Sequence, residues 1–175
     1  MNPYFLTTMN TPLGELLLGA TNQGVCLVEF SGQAERVQLE QVMLEKRDLV
    51  LTTGSSQYLE DVQAELKAYF AGKLRGFNVP LDAGGSEFQR RVWAALVHIP
   101  YGETRSYNDL ALQLGQPGGS RAVGTANGSN PIAIVVPCHR VITTSGKLGG
   151  YGGGLWRKEW LLNFEGRQAG TRLGI

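Results

Sequence analysis

Cys138, His139 and Arg140 follow one another directly after Pro137. A thiol with an imidazole and a guanidinium beside it has the surroundings that lower a cysteine pKa and make the thiolate available as a nucleophile. Adjacent side chains rarely face each other, so His139 has to reach the sulfur through a water or a sharp turn. It also needs an acid to orient it, and Glu165, just after a Trp156 to Phe164 helix and before Gly166, is the candidate. The same residues are equally compatible with an inert buried cysteine next to a satisfied histidine. Cys26 lies in an apolar run and is expected to be a small buried residue. With only His98 besides, no metal-ligand spacing is present, and neither a metal nor a cofactor is expected.

The elements around this cluster can be read from local signals. Asn130-Pro131 leads into Ile132-Ala133-Ile134-Val135-Val136, read as a short buried strand that delivers Cys138. Upstream, Ser106 can cap a helix from Tyr107 to Leu114, and Ser120 to Asn127 can form a second. Between them Gly115-Gln116-Pro117-Gly118-Gly119 breaks the chain, giving the shape of a helix-turn-helix. Many helical hairpins share that shape. The second helix carries small side chains, with Arg121 its only long one. Ser86 to Gln89 spells a capping box for a helix that buries Phe88, Val92 and Leu96 and stops before Pro100, with Trp93 in the core.

The first part of the chain reads as sheet followed by helix. Tyr4 to Thr8, Gly14 to Thr21 and Val25 to Phe30 are strands, with a turn at Asn22-Gln23-Gly24. Leu59, Val62, Leu66, Tyr69 and Phe70 then sit at helical spacing until Gly72. Composition divides at the same place. Residues 1–83 hold 6 Lys and Arg against 10 Asp and Glu, while residues 84–175 hold 10 against 5. Of 24 glycines, 17 lie in the second part. We therefore read two domains, 1–83 and 84–175, the first a small α/β unit and the second mainly helical. The basic second half hints at a polyanionic partner. No apolar run reaches the roughly 18 residues of a membrane span. The start of the chain lacks the basic and apolar pattern of a secretory signal, so a cytoplasmic location is expected.

Pro137-Cys138-His139-Arg140-Val141-Ile142, then Gly149-Gly150-Tyr151-Gly152-Gly153-Gly154 and Lys158-Glu159-Trp160-Leu161-Leu162, resembles the O6-alkylguanine-DNA alkyltransferases. The resemblance extends back through Asn127 to Pro131, Arg121-Ala122-Val123-Gly124 and Ser106-Tyr107 to Phe88-Gln89 with Val92-Trp93. Thr11-Pro12-Leu13-Gly14 also suits that family, whereas Arg167 to Ile175 match nothing in it.

The resemblance implies a role for individual residues. Cys138 would accept the alkyl group, and His139 and Glu165 would take its proton through a water. Tyr107 would donate to N3 of the extruded guanine. The Gly152 N–H would face O6, and the Cys138 and Val141 carbonyls would accept from the exocyclic amine. Tyr151 and Asn127 would line the pocket. Arg121 would enter the base stack in place of the flipped nucleotide. Ser120, Ala122 and Gly124 would allow close approach in the minor groove, with Asn108, Gln89 and Thr144 as further DNA contacts. Asn130 would hold the turn before the nucleophile. Read without the resemblance, the residues favour simpler roles: Tyr107 a helix-start aromatic, Arg121 a phosphate contact and Asn130 a helix cap.

The function so implied is direct, single-turnover reversal of O6-alkylguanine, and of O4-alkylthymine, in duplex DNA, by a monomer with no membrane or protein partner. A non-catalytic lesion-binding protein on the same scaffold would be the natural reading had Cys138 been replaced. A Cys-His hydrolase would need a separate oxyanion loop, and none is recognisable. At Gly152 many relatives have serine, which leaves only a backbone donor and a roomier pocket.

Overall fold

The computed structural model describes residues 2–32, 41, 43–171 and 173. The chain divides into two compact units, Met1–Gly84 and Gly85–Ile175.

In the first unit, β1 (Asn2–Thr11), β2 (Gly14–Ala20) and β3 (Val25–Phe30) form an antiparallel meander, and β4 (Leu49–Leu51) adds to β1 in parallel. The turn between β1 and β2 is closed by Thr11, whose hydroxyl donates to the Gly14 carbonyl at 2.7 Å and accepts from the Leu13 N–H. Alternation along β2 puts Leu16, Leu18 and Ala20 on the buried face. They join the buried face of α1 (Gln57–Phe70), made by Leu59, Val62, Leu66 and Tyr69. Burying side chains of this size stabilises a fold by roughly 1.5–3 kcal/mol each. Cys26 is fully buried inside β3. β4 had no signal in the sequence: three residues, two of them exposed, give no period to detect.

In the second unit, α2 (Glu87–Val97) opens on the expected capping box, Ser86 accepting from the Gln89 N–H and Gln89 from the Ser86 N–H. It buries Val92, Trp93, Ala95 and Leu96, while Phe88 is only partly covered. α3 (Tyr107–Gln113) and α4 (Ser120–Gly128) form the helix-turn-helix, and α3 begins with a second capping box between Ser106 and Asp109. A short parallel pair, β5 (Arg105–Ser106) and β6 (Val141–Ile142), ties the start of α3 to the segment after Cys138. α5 (Leu155–Ala169) closes the unit. No helix among the described residues is long and apolar enough to cross a membrane.

Two expectations are corrected. Residues 132–136 are not a strand: Val135 N–H bonds to Ala133 O and Val136 N–H to Ile132 O, making a buried local turn with Ile134 at φ 70°. The run is apolar because it is enclosed, and periodicity cannot tell an enclosed turn from a buried strand. The last helix does not stop at Phe164. It runs to Ala169 and ends at Gly170, in the left-handed conformation. Gly166 sits inside it, where a Cβ would lie 3.1 Å from the Thr171 carbonyl. Glu165 is therefore a fully buried mid-helix residue.

Candidate active site

Cys138 is positioned by the turn before it. Asn130 is buried, and its amide donates to Val136 O at 2.8 Å and more weakly to Ile132 O, while its oxygen accepts from Ile132 N–H at 3.0 Å. One side chain thus replaces the ladder that a strand would have supplied. It supports a left-handed β-branched residue, a conformation that costs on the order of 1–3 kcal/mol. The turn ends in a 3₁₀ turn, Cys138–Arg140, so the three consecutive side chains splay in different directions.

His139 and Glu165 are both fully buried, with Nε2 of the imidazole 2.8 Å from Oε1. Burial raises the Glu165 carboxyl, but His139 and Arg140 outweigh it and hold it well below the usual range. Burial pushes His139 down, opposed by Glu165 and reinforced by Arg140 and Lys158. An ionised carboxylate beside a neutral imidazole fixes the tautomer: Nε2 carries the proton and donates it, and Nδ1 keeps its lone pair. Nδ1 is buried with no hydrogen-bond partner among the described residues. It is a base with an unused acceptor site.

Arg140, expected beside the thiol, is turned elsewhere. Its Nε and Nη2 donate to Glu165 at 2.9 and 3.0 Å, and Nη1 donates to Ile99 O at 2.6 Å. A buried guanidinium needs a paired carboxylate, and Glu165 supplies it.

Lys158 was not expected as a site residue, because a lysine on a helix is ordinarily solvated. Here it is fully buried, and its ammonium donates to Val141 O at 2.5 Å and to Gly150 O at 3.1 Å. It fastens the glycine-rich loop to the segment after Cys138. Burial pushes its pKa down to about 8, with Cys138 pulling the other way.

Tyr107 completes the cluster. Burial pushes its phenol up, and negative charge on Cys138 adds to that, so it stays a proton donor at neutral pH. Two glycines flank its ring. A Cβ on Gly149, at φ 71°, would lie 3.0 Å from the phenol oxygen, and one on Gly124 would lie 3.6 Å from the ring. A Cβ on Gly124 would make only ordinary van der Waals contact with the ring, so of the two glycines only Gly149 is required by the packing of Tyr107.

An open depression is lined by Tyr107, Ser120, Arg121, Gly124, Thr125, Thr143 and Thr144. It collects Tyr107, Ser120, Arg121, Gly124 and Thr144 from the sequence expectation and adds Thr125 and Thr143. Arg121 and Ala122 are exposed and Asn108 is half-buried. Gln89 is committed to the helix cap and donates to Ser129 at 3.2 Å. Asn127 is buried, donating weakly to Cys138 O, with its oxygen unpartnered among the described residues. Val141 is buried and its carbonyl already accepts from Lys158. Tyr151 is half-buried and Gly152 is exposed in the loop. Among the described residues no group of three or more His, Cys, Asp or Glu could hold a metal ion.

Residues 87–167 match the DNA binding domain of the 6-O-methylguanine DNA methyltransferases, and residues 4–83 match the ribonuclease-like domain of the same proteins. A methylated-DNA–protein-cysteine methyltransferase of Methanosarcina acetivorans is 43% identical over 162 residues, covering 93% of this chain and 98% of its own. The Mycolicibacterium paratuberculosis protein of that name is 66% identical over 111 residues, 63% of this chain and 67% of the relative. The crystal structure of Mycobacterium tuberculosis O6-methylguanine methyltransferase superposes with a TM-score of 0.80 at 44% identity, covering 99% and 98% of the two chains. That of Mycobacterium tuberculosis OGT in complex with DNA gives 0.79 at 45% identity, covering 95% and 94%.

Proposed function

This chain belongs to the 6-O-methylguanine DNA methyltransferase family, and we propose how its own residues carry out the repair. The activity is direct reversal of DNA damage: the alkyl group passes from O6 of guanine in duplex DNA to a cysteine of the protein, which is consumed. We assign the acceptor to Cys138.

The observation that carries the assignment is the buried relay beside it. Glu165 fixes the His139 tautomer, and Nδ1 is left as a lone-pair acceptor on the residue that follows Cys138. Through one water, Nδ1 takes the thiol proton. The sulfur attacks the alkyl carbon, the S–C bond forms as the C–O6 bond breaks, and the electron pair remains with guanine. Tyr107 donates to N3 of the departing base, so no free anion builds up. The proton removed from sulfur returns to the phenol oxygen through solvent, which balances the step. The thioether has no leaving group for water to displace, so one chain repairs one lesion.

The lesion lies inside the duplex, so the base must be turned out, at a cost of a few kcal/mol that is smaller for a badly paired base. Exposed Arg121 fills the stack behind it, and the small residues of α4 let the helix approach a narrow groove without reading sequence. Tyr151, Gly152, Asn127 and Val141 surround the base, and O4-alkylthymine presents the same alkyl ether to them. We place this chemistry in the cytoplasm and assign it to a monomer acting on double-stranded DNA.

The test is a pair of cysteine variants reacted with a duplex carrying O6-methylguanine. Transfer is expected to survive Cys26→Ser and to vanish in Cys138→Ser. Retained transfer in Cys138→Ser rejects the assignment.

A further inference from the structure

We infer that Thr171, beyond the helix that carries Glu165, is a positioning residue for the proton relay, acting through Gly102 on the buried carboxylate. The inference rests on the relay assigned to Cys138, His139 and Glu165.

The relay has a third side that the mechanism does not use. Besides His139 and Arg140, Glu165 accepts from the backbone N–H of Gly102, at 3.4 Å to Oε2. Gly102 belongs to the turn after α2, and that turn meets the buried pair at two further places. Ile99 O accepts from Arg140 Nη1, and the Tyr101 ring lies beneath the guanidinium, 5.6 Å from its carbon to the ring centroid. The turn is therefore the outer wall of the Glu165 site.

Thr171 pins that wall from outside. Its hydroxyl donates to Gly102 O at 2.8 Å, and its N–H donates to Gly166 O at 2.8 Å. One residue thus bridges the turn and the helix residue immediately after Glu165. The fit leaves no slack: Gly102 has φ 77°, and a Cβ there would lie 2.5 Å from the Ala169 side chain and 3.3 Å from the Thr171 hydroxyl. The Gly102 carbonyl is held by Thr171 while the N–H of the same residue faces Glu165. The two groups belong to successive peptide planes joined at the Gly102 Cα, and the crowding of that Cα by Ala169 and Thr171 restricts the rotation that would otherwise uncouple them. The matched DNA binding domain ends at residue 167, so Thr171 lies outside it although both its partners lie within.

Loss of the clamp lets the Gly102 N–H drift from a 3.4 Å contact that is already long. The charged and titratable groups facing the carboxylate are then His139 and Arg140, with Lys158 on the same helix also acting on His139. A less fixed carboxylate orients the imidazole less well and supports proton uptake at Nδ1 less strongly.

The experiment compares wild type, Thr171→Val and Thr171→Ser in the full chain. It measures the single-turnover rate of methyl transfer from duplex O6-methylguanine and of benzyl transfer from free O6-benzylguanine, between about pH 5 and 9, a window that brackets the ordinary imidazole pKa. Thr171→Val is expected to slow both reactions by roughly two- to tenfold, the worth of one hydrogen bond. The acid limb of its pH profile is expected to move to lower pH, because His139 loses part of the carboxylate's support. Thr171→Ser keeps the hydroxyl and is expected to recover the wild-type rate and profile. A Thr171→Val protein with wild-type rates and profile overturns the inference, as does one whose melting temperature falls while both rates stay unchanged. If wild type itself transfers no alkyl group, the proposed function fails first.

Discussion

Nε2 of His139 lies 2.8 Å from Oε1 of Glu165, and both side chains are fully buried. Neither group reaches solvent, so each sets the other's protonation state. Arg140 neutralises the carboxylate by donating to both of its oxygens. The imidazole is consequently left neutral with its second nitrogen available, which is what a base for a neighbouring thiol requires.

Glu165→Gln is expected to damage both fold and reaction. The substitution leaves the Arg140 charge buried without its counter-ion, a change that costs about 3–5 kcal/mol, measurable by urea unfolding at neutral pH. The folded carboxyl lies below its ordinary value of 4.5. Its contribution is thus complete above that pH and is lost as pH falls from there towards the folded value. The stability gap between wild type and variant should accordingly narrow below pH 4.5.

The pH dependence of transfer should report His139. Its folded pKa lies below the ordinary 6.5, so Nδ1 remains free to accept a proton through that pH. The single-turnover rate is expected to show its acid limb only below that value. Stability follows the same group: as pH falls below 6.5 the unfolded chain takes up a proton that the native state refuses, and the fold weakens. A limb centred above the ordinary imidazole value would contradict the assignment.

Tyr107→Phe keeps the ring between Gly124 and Gly149 and removes only the phenol. Thermal stability should change little, while transfer should slow by about 10²-fold, the lower end of what a positioned proton donor contributes. Stopped reactions of duplex O6-methylguanine with excess protein measure this directly.

Arg121→Ala tests base flipping separately from chemistry. The side chain is exposed on the rim of the depression. Repair in duplex DNA is expected to slow more than reaction with free O6-benzylguanine, which needs no extrusion. Equal loss on both substrates would remove Arg121 from the flipping role.

Local signals carried much of the architecture. The hairpin strands, the capping box at Ser86 and the paired helices around Gly115 to Gly119 were legible because each rests on short-range chemistry. The long-range pieces were not. β4 and the β5–β6 pair are too short to show a period. Ile132–Val136 misled because burial alone makes a run apolar, whether it pairs in a sheet or folds on the Asn130 side chain. Of the site, Cys138, His139 and Glu165 could be proposed from residue type. Lys158 could not, since nothing in a helix sequence tells a buried ammonium from a solvated one. The missing Cβ of Gly124 faces Tyr107, a relation between two helices that spacing along one of them cannot reveal.

Everything in the mechanism depends on Cys138 being a stoichiometric alkyl acceptor. Intact-protein mass spectrometry after reaction with increasing duplex O6-methylguanine, followed by peptide mapping, reads this out without an intermediary. The expected result is a gain of one methyl group per chain, on the peptide containing Cys138, that stops at one equivalent of lesion repaired. Continued repair beyond one equivalent, or a methyl group on any other residue, would contradict it.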